Sequence, residues 1–377
     1  MYFDDAATSR PVDGVLEKIT PFIGRNWHNP SAKYKSGEEV KRAIESVRIK
    51  ISKIINCLGT EVFFTSGATE SNNWAIRGFD DANYLNQSVI ITTPIEHSSI
   101  IEAISNSALR SEIHFCKVDS CGCVDMKSLE YLLGLTNRKR VLVSISMANN
   151  EIGTIQDIQK ISEMVHRYNG YLHVDATQTF GKMQIDVQKL NIDLLSASAH
   201  KIGGIKGTGI LYKKYNTPLS PLIYGEQENK NRGGTENVIG IIALGAALDV
   251  IDYKLYASLI DKRDYMIKNL LDMGCKLNGG QERRLPNNIN VMLPDGISGE
   301  SFMYLLDIYG IEISTGSACN SNSIIGSYVL QSIGLNQKEV ARSIRITLPQ
   351  SITLEEIDCA LDKISTAIKQ IRRKEEF

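Results

Sequence analysis

The stretch "VLVSISMANNEIGTIQDIQKISEMVHRYNGYLHVDA" (141–176) decides the fold, because it reads as strand, helix and strand in one run. "VLVSISM" (141–147) and "YLHVDA" (171–176) have the apolar, β-branched texture of strands. Between them, "DIQKISEMVHRYN" (157–169) is amphipathic, and Asn169-Gly170 supplies a helix stop. The same rhythm extends on both sides. "EVFFTS" (61–66), "SVIITT" (88–93), "EIHFCKV" (112–118), "DLLSASA" (193–199) and "GILYKK" (209–214) read as further strands, and "SGEEVKRAIESVRIKISKII" (36–55) as a helix. Several strands are apolar on both faces, which suits a sheet covered on both sides. The alternation predicts an α/β fold with a mainly parallel sheet. In such sheets ligands collect at the carboxyl ends of the strands.

After a helix at 237–253 the texture changes. A long helix (254–273) leads to "NNINVML", "GESFMYLLDIYG", "IEIST", "SIRITL" and a last helix from Thr353. This predicts a smaller α+β domain. The expected division is a large domain over 13–253 and a small one formed by 1–12 with 254–377. A chain of 377 residues is long enough for two such cores.

Composition excludes several classes. Hydrophobic residues make up 42% and charged residues 23%, with a formal net charge of −1, which gives no overall field for nucleic acid or anionic membrane. The longest apolar run, "VIGIIALGAAL" (238–248), stops at Asp249, short of a membrane span. The start "MYFDDAATSR" is acidic and does not read as a signal peptide. Seven cysteines, an odd number, favour free thiols in a reducing compartment, so a cytoplasmic protein is expected.

Three strand ends carry dense polar groups. "TSGATES" (65–71) opens a helix, where Ala68 and Thr69 stand beside free N–H groups; it serves equally as a helix cap or a phosphate cradle. "HVDATQ" (173–178) places Asp175 at a strand end, either as a turn residue or as a carboxylate holding a protonated ring nitrogen, with Gln178 three residues on. "SASAHKIGGIKGTG" (196–209) puts Ser198, His200 and Lys201 after a run of tiny residues, and a desolvated lysine can attack a carbonyl. Its glycines fit neither a P-loop nor a dinucleotide fingerprint. A phosphate cradle, a ring-nitrogen partner and a Schiff-base lysine are together what pyridoxal phosphate requires. In "STGSACNSNS" (314–323), Cys319 lies among small polar residues after a strand, a setting for an exposed nucleophilic thiol.

With "YFDDAAT" (2–8), "NPSAKYKSG" (29–37), "FTSGATESNN" (64–73), "EHSSI" (96–100), "NNEIGTIQDI" (149–158), "HVDATQTFGK" (173–182), "RGGTEN" (232–237) and "STGSAC" in this order, the sequence resembles the cysteine desulfurases of the NifS/IscS type. The resemblance implies the pyridoxal-phosphate-dependent transferase fold, aspartate-aminotransferase-like. It implies that Lys201 carries pyridoxal 5'-phosphate as a Schiff base and that Asp175 pairs with the ring nitrogen. Gln178 and Asn150 would serve the phenolic side, His97 would stack on the ring and move protons, and Ala68, Thr69, Ser198 and His200 would hold the phosphate. Thr235 would reach the phosphate of a neighbouring subunit in a homodimer. Arg345, with Asn150, would bind the carboxylate of L-cysteine. Cys319 would take its sulfur as a persulfide, release L-alanine, and pass the sulfur to an acceptor protein for Fe-S (iron–sulfur) cluster assembly, transfer-RNA thiolation or DNA phosphorothioation. The length from Cys319 to "SYVL" (327–330) resembles the long-loop group of sulfur donors.

The sequence departs from the pattern at Asp5 (usually Asn), Tyr34 (often His), Ile205 (usually Pro) and 349–350 (usually Gly-Arg). A selenocysteine lyase or another lyase on this fold is the first alternative, and a non-catalytic sulfur-relay scaffold is the second. His114, Cys116, Cys121 and Cys123 cluster in "HFCKVDSCGC", but the spacing matches no common zinc module, so no metal is expected.

Overall fold

The computed structural model describes residues 1–83, 85, 88–105, 109–136, 139–315 and 326–375. Seven strands form the large sheet: β1 (Val62–Thr65), β2 (Ser88–Thr92), β3 (Glu112–Phe115), β4 (Arg140–Ser146), β5 (Tyr171–Asp175), β6 (Leu194–Ser198) and β7 (Gly209–Lys213), in the order β1-β7-β6-β5-β4-β2-β3. Only β7 runs against its neighbours, pairing antiparallel with both β1 and β6. The mainly parallel sheet expected from the strand–helix rhythm is therefore present.

Alternation along each strand sends side chains to two cores. Val89, Ile91, Val141 and Val143 join one core, under the helices Lys35–Ile55, Ile158–Arg167 and Val238–Asp249. Ile90, Leu142, Leu194 and Leu211 join the other, under Ala68–Ala82 and Ser98–Ser105. Coverage on both sides is the reason that these strands are apolar throughout. No helix among the described residues is long and apolar enough to cross a membrane.

The second sheet is antiparallel. Its strands are β8 (Lys276–Leu277), β9 (Asn288–Met292), β10 (Ser314–Thr315) and β11 (Ser343–Thr347), in the order β10-β11-β9-β8. Ile289, Val291, Ile344 and Ile346 enter a third core with the helices Leu259–Asp272, Gly299–Ile308 and Leu354–Glu375. The alternate positions, Asn290 and Arg345, pair across the opposite face. That face meets the large sheet, since Asn288 and Asn290 both donate to the Glu151 carbonyl at 3.1 Å.

The N-terminal segment spans both bodies. Phe3 is fully buried in the small core, and bridges join Tyr2 to Glu312 and Asp4 to Thr347. Farther on, Ser9 N–H donates to the His200 carbonyl and Val12 N–H to the Gly203 carbonyl. The helix expected over 254–273 breaks at Ser258 into Tyr253–Ala257 and Leu259–Asp272. There the Ser258 hydroxyl donates to the Leu255 carbonyl at 2.7 Å, closing the first helix.

Candidate active site

The carboxyl ends of β1, β2, β4, β5 and β6 share one edge of the large sheet, and the start of β7 returns to it. A cavity of about 620 Å³ opens there. Ala68, Thr69, His97, Asn150, Asp175, Gln178, Ser198, His200, Lys201 and Arg345 all line it. Thus segments up to 277 residues apart (Ala68 to Arg345) converge because each follows or lies on a strand aimed at one place.

The loop after β1 enters the helix Ala68–Ala82, whose first helical bond runs from Ser71 N–H to Gly67 O. The N–H groups of Ala68, Thr69 and Glu70 have no helical acceptor, which makes this end attractive to an anion. β7 comes close here: a Cβ on Gly209 would sit 2.6 Å from the Gly67 backbone. The loop from β6 to β7 supplies Ser198, His200 and Lys201. Gly203 takes φ +85° in that loop, and a Cβ there would meet Val12 at 2.5 Å. The glycines after Lys201 therefore serve the turn that returns the chain to the sheet. Burial, with Lys201, Lys206 and Lys182 nearby, pushes His200 down to about 4. This neutral imidazole and the surrounding cations suit a phosphate.

Lys201 Nζ donates to the Ala6 and Ala7 carbonyls at 2.5 and 2.7 Å. Gln178 Nε2 donates to the same Ala6 carbonyl at 3.2 Å. Asp175 is buried at the end of β5, where its Oδ2 accepts from Asn72 Nδ2 at 2.8 Å and its Oδ1 from Thr177 N–H at 2.9 Å and the Thr177 hydroxyl. Among the described residues it forms no ion pair. A buried carboxylate that faces the cavity and has no ion-pair partner among the described residues is a fitting partner for a protonated ring nitrogen. The donor set thus fits pyridoxal phosphate: a carboxylate for a ring nitrogen, a lysine for an aldehyde, and a helix start with His200 suited to a phosphate.

His97 follows β2, and burial holds its imidazole below its ordinary pKa; Asp175 opposes that shift and Lys201 adds to it. Asn149 shapes the turn after β4, its Oδ1 accepting from Glu151 and Ile152 N–H at 2.8 and 3.0 Å, which presents Asn150 to the cavity. Arg345 reaches over from β11. Its Nη2 donates to Asp4 Oδ1 at 2.7 Å and its Nη1 to the Asn150 carbonyl at 3.2 Å, while the buried Nε has no partner. Asp4 Oδ2 in turn accepts from the Ser314 hydroxyl at 2.7 Å.

Thr235 is exposed and does not line the cavity of its own chain. Cys319 lies outside the described residues; β10, which precedes it, ends at Thr315, and Ser314 is in the cavity wall. His114 pairs with Glu112 at 2.8 Å, Cys116 is buried, and Cys121 packs on Gly280. Sequence reasoning missed Asp4, Asn72 and Ser99. All three lie inside quoted motifs, but only the fold reveals their partners.

Known proteins resemble this chain over nearly its whole length. The profile of the family described as aminotransferase class-V matches residues 1–359. The chain is 41% identical over 381 residues to the cysteine desulfurase IscS of Dictyoglomus turgidum, spanning 99% of this chain and 95% of that protein. It is 39% identical to the cysteine desulfurase IscS of Methanosarcina thermophila, over 99% and 93% of the two chains. A solved NifS-like protein is similar with a TM-score of 0.90 at 35% identity, covering 98% of this chain and 99% of its own. A structure of SspA in complex with cysteine is similar with a TM-score of 0.82 at 30% identity, over 93% and 99%.

Proposed function

Because the chain belongs to the class-V aminotransferase family and is a cysteine desulfurase dependent on pyridoxal 5'-phosphate, we propose a division of work among its own residues. Lys201 is the covalent anchor of the cofactor. Asp175 keeps the ring nitrogen protonated. Ala68, Thr69, Ser198 and His200 hold the phosphate, and Gln178 and Asn150 serve the phenolic side. When bound, the cofactor supplies an aldehyde for the substrate amine and a cationic ring that draws electrons from the substrate α-carbon.

L-cysteine is the substrate. Arg345 binds its carboxylate beside Asn150, and His97 moves a proton close to its thiol. The Cys319 thiolate attacks the substrate sulfur. An S–S bond forms, the C–S bond breaks with its electron pair left on carbon, and the carbon fragment takes up a proton and leaves as L-alanine. The persulfide on Cys319 is then passed to an acceptor protein.

The observation that carries this division is the buried Asp175 carboxylate, without an ion pair among the described residues, on the same sheet edge as Lys201 and the helix start at Ala68. Thr235, exposed on its own chain, is assigned to the cavity of a second copy in a homodimer. Residues 13–253 are assigned to the cofactor domain, and 1–12 with 254–377 to the small domain; the separate cores support this. Cys57, Cys116, Cys121, Cys123, Cys275 and Cys359 are free thiols, which supports a cytoplasmic setting.

The test is incubation of the purified holoenzyme with L-cysteine, followed by assays for alanine and for a persulfide at 319. Cys319→Ser is expected to keep the cofactor's colour and lose the persulfide. A persulfide of undiminished yield on another residue in that variant would refute the assignment of Cys319.

A further inference from the structure

Asp175 ends β5 and His97 follows β2, and two side chains with no assigned role lie between them. Asn72 is fully buried, and its Nδ2 lies 2.8 Å from Asp175 Oδ2 and 2.9 Å from Ser99 Oγ. Ser99 Oγ is 2.8 Å from His97 Nδ1, and Ser99 N–H donates to the same Nδ1 at 3.1 Å.

Chemistry fixes the protons along this line in order. A carboxylate only accepts, so the amide NH₂ of Asn72, and not its oxygen, faces Asp175. The second hydrogen of that NH₂ goes to Ser99 Oγ. The Ser99 hydroxyl, already accepting, turns its own hydrogen to His97 Nδ1. The Ser99 backbone amide can only donate, and it meets Nδ1 as well. Nδ1 is therefore the bare nitrogen, and the neutral ring carries its proton on Nε2. Asn72 Oδ1 is left buried without a partner, as expected if two acceptors hold the NH₂ end in place.

We propose that Ser99 and Asn72 are positioning residues that make His97 the Nε2–H tautomer and tie it to the Asp175 carboxylate, so that His97 meets the substrate first as a proton donor. This rests on the reading of the cavity as the cofactor site. The charged and titratable groups in this neighbourhood are Asp175 and Lys201 beside His97, and Glu96 and His173 beside Asp175.

The test is nitrogen NMR of holoenzyme labelled with ¹⁵N only in histidine, with His97 assigned by its loss in His97→Gln. The wild type is expected to show a pyridine-type Nδ1 and a pyrrole-type Nε2. Ser99→Ala removes one of two donors to Nδ1, so His97 should take up a proton at a pH higher by about one unit. Ser99→Thr should restore the wild-type titration. Asn72→Ala should shift it in the same direction as Ser99→Ala, because the hydroxyl is then free to turn away from the ring.

A protonated Nδ1 in the neutral wild-type ring overturns the proposal, and that spectrum decides even if a variant fails to fold. A shift in Ser99→Ala with none in Asn72→Ala overturns the link to Asp175. Failure of the wild type to release alanine from L-cysteine would remove the functional reading while leaving the nitrogen assignments intact.

Discussion

At the scale of single residues, the proposed division of work separates groups that hold the cofactor from groups that hold the substrate. Lys201→Ala should abolish the visible absorbance of bound cofactor and lower alanine production by roughly 10²–10⁴-fold, measured on protein purified with excess cofactor. Arg345 does a different job. Its guanidinium is already aimed by Asp4 and the Asn150 carbonyl, so it is organised before any carboxylate arrives. Arg345→Ala should raise KM for L-cysteine on the order of 10–100-fold, with a smaller change in kcat. Equal losses in both parameters would place Arg345 in the chemical step instead. Lys201 and Asp175 were legible as candidates because each stands in a polar group that follows an apolar strand, whereas His97 was legible only through the family resemblance. Asn72 was not legible as a partner of Asp175, because 103 residues separate them and only strand order brings them together.

At the scale of elements, β7 and the turn after β4 matter most. Gly209 begins β7 where it crowds Gly67, so Gly209→Ala should push the phosphate-end loop away from the sheet. A loss of about 1–3 kcal/mol in stability is expected, with weaker cofactor retention, read by thermal melting with and without cofactor. Glu151 in the turn after β4 is buried, and its Oε2 accepts from the Ser327 hydroxyl at 2.5 Å. Burial pushes its carboxyl up to about 7. Between the unfolded value near 4.5 and about 7, the folded protein holds a proton that the unfolded chain has released, so this group's contribution to stability falls as pH rises through that window. Glu151→Gln should remove that loss. The variant-minus-wild-type stability should climb by on the order of 1 kcal/mol per pH unit across the window and level off above it, as denaturant melts can show. The seven strands of the large sheet were readable from sequence because each is a short run rich in apolar and β-branched residues. β8 was not, because two residues carry no period, and the break at Ser258 was hidden by continuous helical patterning on both sides.

At the scale of the whole molecule, specific ties join the N-terminal segment to both sheets' surroundings. Asp5 Oδ2 accepts from Lys182 Nζ at 2.6 Å with both side chains buried. Asp5→Ala leaves that ammonium without its counter-charge and should cost about 3–5 kcal/mol, whereas Asp5→Asn should cost less; melting temperatures of the two variants decide it. The change of texture near residue 254 precedes the four strands of the second sheet. The tie between Asp5 and Lys182 was not legible in the sequence, because the pairing depends on how the N-terminal segment lies across both bodies. That segment has a consequence for biosynthesis. Asp4 contacts Arg345, 341 positions later, and Phe3 is sandwiched by hydrogen bonds to Glu312 and Thr347. A polypeptide emerging from the ribosome must keep residues 2–5 unclaimed until positions 345–347 have been translated, so the vitamin B6 pocket cannot be completed before then.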